Sequence, residues 1–163
     1  VRVPVDNLVG SEGEGAKIAL SVLDFGRIGI ASTAYGIAQA AFEEAVEYAK
    51  ERKQFNVPIS SFQGLRWMLA ELAVEIEAAK LLILEAAAIR DKGLRYTKEA
   101  AMAKFYSSKI AVKAASTAIQ VFGHYGYLKD KPLERYLRDA KGLEIAEGTS
   151  EIQKLVIARQ ILD

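Results

Sequence analysis

The stretch GLEIAEGTSEIQKLV, Gly142 to Val156, places one carboxylate, Glu147, between the apolar pair Ile145 and Ala146 and what reads as a helix start. Ser150 and Gln153 have the S-x-x-Q spacing of a capping box, so Ser150 is expected to cap a helix running to the chain end. Glu147 then lies just outside a helix N-terminus, where the dipole alone stabilises an acid and no further role is needed. Other residues invite chemistry too. Asp24 and Arg27 in LDFGRIGIA stand one helical turn apart, able to pair with each other or to hold a polar group together. Arg52 and Phe55 in ERKQFN suit a guanidinium on phosphate and a ring on a flat base, although helix ends of this kind are commonly just solvated. QVFGHYGY, Gln120 to Tyr127, carries two glycines that let backbone amides approach an anion, and equally can serve only to end a helix. His124 within it reads as a turn residue, not a base.

The elements that must position these groups are helical. From about Ala16 to Lys53, Leu23, Ile30, Ile37, Ala41, Ala45 and Tyr48 recur at helical spacing without a proline, predicting one helix of about 55 Å. NVPISS ends it. Ser60 and Gln63 form a second S-x-x-Q box opening a helix that stops at Gly93. One stripe of that helix is Leu65, Leu72, Ile76, Ala79 and Ile83, while Trp67, Val74, Leu81 and Leu84 face elsewhere, which favours a subunit interface. Thr97 is the expected cap of a third helix with the seam Phe105, Ser108, Val112, Ala115, Ile119 and Phe122. Pro132 opens a short helix, PLERYLRDA, ahead of the last one. The expected fold is all-α, an up-and-down bundle of three long helices and a late short pair. VRVPVDNLVGSEGEG, by contrast, reads as one short strand and a loop, a strand with nothing in this chain to pair with.

Composition narrows the function. The 163 residues suit one domain with a real core, and 51% hydrophobic against 26% charged residues is globular. A net charge of +1, from 22 basic and 21 acidic residues, gives no general attraction to nucleic acid or an anionic membrane. Without cysteine there is no disulfide and no thiolate chemistry, and one histidine rules out a histidine-rich metal site and disfavours a histidine-based triad. Charges interrupt every apolar run before it could span a bilayer, and VRVPVDNLVG lacks the apolar core of a signal peptide, so a soluble, cytoplasmic protein is expected.

Taken in order, LDFGRIGIA, ERKQF with Gln63 eleven residues beyond Arg52, QVFGHYGY, PLERYLRDAK and EGTSEIQ closely resemble the C-terminal helical domain of acyl-CoA dehydrogenases. The likeness covers nearly the whole chain; residues 1–14 resemble the end of that family's middle β-domain and its linker, and 15–163 the helical bundle domain. The resemblance implies FAD-dependent removal of two hydrogens from an acyl-CoA thioester to give the trans-2-enoyl-CoA, with Glu147 taking the α-proton. A carboxylate among apolar neighbours suits that task, because lost hydration makes it a better proton acceptor. The resemblance further implies substrate contacts from Asp24, Phe25, Gly26, Arg27 and Gly148. FAD contacts are implied for Arg52, Phe55, Gln63, Gln120, Val121, Phe122, Gly123 and His124, largely across a subunit boundary, and for Thr149, Ser150 and Glu151. No metal is implied. The partners implied are acyl-CoA, an electron-transferring flavoprotein and further copies of the chain in a dimer or tetramer.

Some members of that family carry the base on the first long helix, just before the arginine; here that residue is Gly26, leaving Glu147 without a rival. Two positions depart from the family pattern: Ala146 stands where tyrosine is common, and His124 where a second glycine is usual. A lone domain of this kind is expected to fold yet show little dehydrogenase activity. The alternatives are an acyl-CoA oxidase-like flavoenzyme, a nitroalkane- or amine-oxidising relative, and a non-catalytic helical oligomerisation module.

Overall fold

The computed structural model describes residues 1–162, in which five helices carry almost all of the regular structure. Helix α1 runs Gly15–Glu51, α2 Gln63–Asp91, α3 Thr97–Phe122, α4 Leu133–Ile145 and α5 Ser150–Leu162. The all-α bundle read from periodicity is therefore the fold. Short connections return each long helix alongside its predecessor.

Helix α3 is the axis of the molecule, touching all four other helices and packing most extensively on α1. That contact is built from small side chains. Ala31, Ala34, Ala38, Ala41, Ala45 and Ala49 form a fully buried line on α1, facing a helix whose own buried face includes Ala103, Ala111, Ala114 and Ala118. Helices bring their axes close only where the side chains between them are small. Of the stripe expected on α1, Ala41 and Ala45 are in the buried line, while Ile30 and Ile37 flank it half-buried and Leu23 is exposed. On α2, Leu72, Ile76, Ala79 and Ile83 are buried as the stripe requires, and Trp67, Val74, Leu81 and Leu84 are exposed. In the α3 seam Ser108, Ala115 and Phe122 are buried while Phe105, Val112 and Ile119 are half-buried.

Three local expectations are corrected, and one connection takes a form of its own. Val1 to Val5 form no strand; the backbone is irregular and exposed up to a 3₁₀ turn at Val5–Asn7, as a strand without a partner must be. Between α1 and α2 the chain makes a two-residue hairpin, Lys53–Gln54 against Val57–Pro58, with Phe55 and Asn56 both left-handed at φ 51° and 64°. Ser60 caps nothing: it lies in a 3₁₀ turn, Ile59–Ser61, and α2 starts after Phe62 without a side-chain cap. Thr97 does not cap α3 either, because its hydroxyl is committed to Asp24. The stop at Gly93 holds. Its φ is 69°, its N–H bonds the Arg90 carbonyl and the N–H of Leu94 bonds that of Ile89, the paired closure of a Schellman motif.

Candidate active site

Helix α4 extends beyond the predicted PLERYLRDA to Ile145, and the chain then reverses into α5 through Ala146, Glu147, Gly148 and Thr149. Glu147 has φ 54° and Gly148 φ 95°, two consecutive left-handed residues, of which only glycine adopts that region freely. No capping box forms at Ser150. Thr149 is the cap of α5: its carbonyl accepts the Gln153 N–H at 3.0 Å and its hydroxyl oxygen accepts the Ile152 N–H at 3.4 Å. The Gln153 side chain instead turns back, its Nε2 donating to the carbonyls of Glu147 at 3.1 Å and Gly148 at 2.9 Å.

This turn aims the half-buried Glu147 carboxyl at α1. A Cβ placed on Gly26 would lie 2.7 Å from Glu147 Oε2 and 3.0 Å from its Cδ, so the carboxylate rests directly over a position of α1 with no side chain. Beside it, Arg27 is buried, donates from Nη1 to Asp24 Oδ1 at 2.7 Å, and keeps a buried Nε with no partner. The second oxygen of Asp24 accepts from Thr97 Oγ1 at 2.6 Å, tying α1 to the start of α3. Asp24 thus pairs with Arg27 as the spacing allows. Phe25 is half exposed with the Arg90 guanidinium 4.4 Å from its ring centre.

Thr149, Ser150 and Glu151 border a polar hollow shared with Lys109, Lys141 and Lys154. Glu151's carboxyl is held below the usual carboxylate range, first by a hydrogen bond from its own backbone N–H at the helix start. The remaining implied contacts lie far off, since Arg27 and Arg52 are separated by about 38 Å of helix. Arg52, at the exit of α1, shares a concave surface with Gln120, Val121, Phe122, Gly123 and His124. Phe122 stacks on Tyr48 with ring centres 4.0 Å apart, and Val121 is buried, so both side chains serve the core. Gly123 has φ 60° and open space around it, while the exposed His124 ring meets Tyr127 edge-on at 5.5 Å. Phe55, on the hairpin tip, and Gln63, the first residue of α2, are both exposed on the same end of the bundle. The structure therefore gathers Asp24, Gly26, Arg27, Glu147 and Gly148 into one site and Arg52 with Gln120 to His124 into another.

One residue escaped the sequence reading and two were read in another role. Lys104 is fully buried and donates to two carbonyls, Glu144 at 3.0 Å and Gly148 at 2.8 Å; burial, as the largest cause, pushes its ammonium below the ordinary lysine range. The α3 seam run back one turn from Ser108 lands on it, which was the available signal. Gly126 is buried so tightly that a Cβ would sit 2.7 Å from the Ile119 carbonyl oxygen. Thr97 had been assigned to the wrong partner.

The sequence pattern of the family described as "Acyl-CoA dehydrogenase, C-terminal domain" matches residues 13–162. The short-chain specific acyl-CoA dehydrogenase of Clostridium acetobutylicum is 54% identical over 159 residues, covering 98% of this chain and 42% of that protein. Butyryl-CoA dehydrogenase from Megasphaera elsdenii superposes with a TM-score of 0.97 at 45% identity, over 99% of this chain and 42% of that one. PigA, solved with FAD and proline, superposes with a TM-score of 0.94 at 29% identity, over 98% of this chain and 42% of its own. The chain spans about two fifths of the length of the relatives it matches.

Proposed function

The chain belongs to the acyl-CoA dehydrogenase family, as its C-terminal helical domain, and from that footing we propose that Glu147 is the base removing the α-proton of an acyl-CoA thioester. The reaction is α,β-dehydrogenation to the trans-2-enoyl-CoA. The observation that carries this reading is the Glu147 carboxyl seated over Gly26, half-buried and with no cation bonded to it among the described residues. A base must be held still, partly dry and free to accept. The ion pair beside it, Arg27 with Asp24, leaves the unpartnered Arg27 Nε for polar atoms of a bound substrate.

The residues present fit FAD. The hollow at the start of α5 holds Lys109, Lys141 and Lys154 with the acids Glu144 and Glu151, and Lys109 is the cation there that no described carboxylate pairs, suiting an anionic or carbonyl oxygen, while Gly123 leaves its backbone open to close approach. Bound FAD supplies the acceptor for the β-hydrogen, as hydride. Because Arg52 and Gln120 to His124 lie a helix-length from Thr149, they serve a flavin held by another copy of the chain, and the exposed apolar face of α2 is the surface for such a homo-oligomer. An electron-transferring flavoprotein takes the electrons onward. The middle β-domain of the intact enzyme, whose end residues 1–14 resemble, completes the acyl-CoA site.

The test is Glu147→Gln in the intact enzyme containing this domain. Turnover with a short acyl-CoA should be abolished while flavin binding persists; turnover at the parent rate would remove the base from the scheme. Comparing oxygen with a flavoprotein acceptor separates dehydrogenase from oxidase, and proline in place of acyl-CoA tests the chemistry suggested by PigA.

A further inference from the structure

A left-handed residue bearing a side chain is costly and survives only where its surroundings hold it. Glu147 is such a residue, and four hydrogen bonds surround it. From α3, Lys104 Nζ reaches the carbonyls of Glu144 and Gly148; from α5, Gln153 Nε2 reaches those of Glu147 and Gly148. Both side chains are fully buried. Gly148 must be glycine for this to close, since a Cβ there would lie 2.8 Å from Gln153 Nε2. Lys104 forms no salt bridge with any described carboxylate, although Glu144, Glu147 and Glu151 all bear on its charge. Burying an ammonium in that way is unfavourable unless its protons are used. Among the described residues its two bonds go to the last turn of α4 and to Gly148, on either side of Glu147.

We propose that Lys104 and Gln153 are positioning residues for the base: by gripping the carbonyls of Glu144, Glu147 and Gly148 from two helices, they hold the left-handed turn that aims the Glu147 carboxyl at Gly26. This rests on the reading of Glu147 as the base. Lysine suits the α3 side because its long stem crosses the packed interface and its head carries enough donors for both carbonyls at once. Glutamine suits the α5 side because it stands one turn beyond the peptide groups it bonds. Neither side chain needs to touch substrate.

The experiment compares Lys104→Met, Gln153→Met and Lys104→Arg with the core control Ile110→Ala, all in the intact flavin-loaded enzyme. Read out are kcat, KM for acyl-CoA, flavin content, melting temperature and exchange of the substrate α-proton with deuterated water. Displacing a reacting group by ~1 Å costs on the order of 10²-fold, so each methionine variant should lose about tenfold or more in kcat and in exchange rate, with KM changed by less than about threefold. Lys104→Arg, which keeps charge and donors, should recover part of the loss. Ile110→Ala, buried away from the turn, should melt lower yet keep its kcat. If both methionine variants also melt lower while kcat stays within about twofold, the two residues only fasten helices together and the proposal is overturned. If Lys104→Met fails to fold, Gln153→Met decides on the same criteria. Parent turnover in Glu147→Gln would defeat the base assignment and this proposal with it, whereas lost turnover there beside unchanged methionine variants defeats this proposal alone.

Discussion

Replacing Gly26 with alanine separates stability from activity in a way that follows directly from the geometry. The added Cβ would stand 2.7 Å from Glu147 Oε2, where ordinary contact begins near 3.4 Å, so the carboxyl must retreat by about 0.7 Å or rotate. The backbone of α1 has no complaint: Gly26 lies inside a 37-residue helix, where alanine is favoured by up to about 1 kcal/mol. The fold should therefore gain a little or stay level, while a base displaced by that distance should lose on the order of 10- to 100-fold in kcat. Gly29→Ala and Gly36→Ala are the matched controls, since a Cβ at either meets nothing within 4 Å. They should raise the melting temperature like Gly26→Ala and leave kcat where it was. Steady-state kinetics and thermal melts of the three variants of the intact enzyme suffice. Should Gly26→Ala turn over at the rate of the two controls, the carboxyl does not work from the position described.

Thr97→Val removes a hydroxyl donated to the Asp24 carboxylate and should cost about 1.5–3 kcal/mol in unfolding free energy; an unchanged denaturation midpoint would show that solvent replaces the bond. Gly126→Ala puts a methyl 2.8 Å from the Ile119 Cα and 2.9 Å from the Phe122 Cβ, where no flexible side chain can yield. A loss of about 1–3 kcal/mol is expected, and a melt as high as the parent's would mean the turn relaxes freely. Lys104 gives a pH signature. Its folded pKa lies below the ordinary 10.5, so between the two values the unfolded chain holds a proton the folded chain has released, and stability rises with pH across that window. The stability of the parent relative to Lys104→Met should therefore climb as pH approaches 10.5, and a fall in that difference would reverse the assigned cause.

Local rules reached a good part of the molecule. The stop at Gly93, the buried stripe of α2 and its exposed Trp67 and Leu84 follow from spacing within a few residues, and the family is written in the order of five short motifs. The same rules missed where several partners compete for one group. Ser60, Thr97 and Ser150 all looked like caps by spacing, yet Thr97 bonds Asp24 on another helix and Thr149 takes the place of Ser150. On α1 the periodic stripe included Ala41 and Ala45, both buried, but its Leu23, Ile30 and Ile37 give way to Ala31, Ala34 and Ala38, because the close packing of α1 on α3 selects small side chains.

The sequence alone determined a helical domain of one family and the ends of most helices, and singled out Glu147 as the candidate acid, because propensity, period and motif act along the chain. Only the tertiary structure decided that the acid sits over Gly26, that Lys104 is buried against its turn, and that the two sets of implied flavin contacts lie a helix-length apart. A carboxylate's neighbours across a helix interface are set by the packing of residues distant in sequence. No pattern confined to one helix encodes that distance.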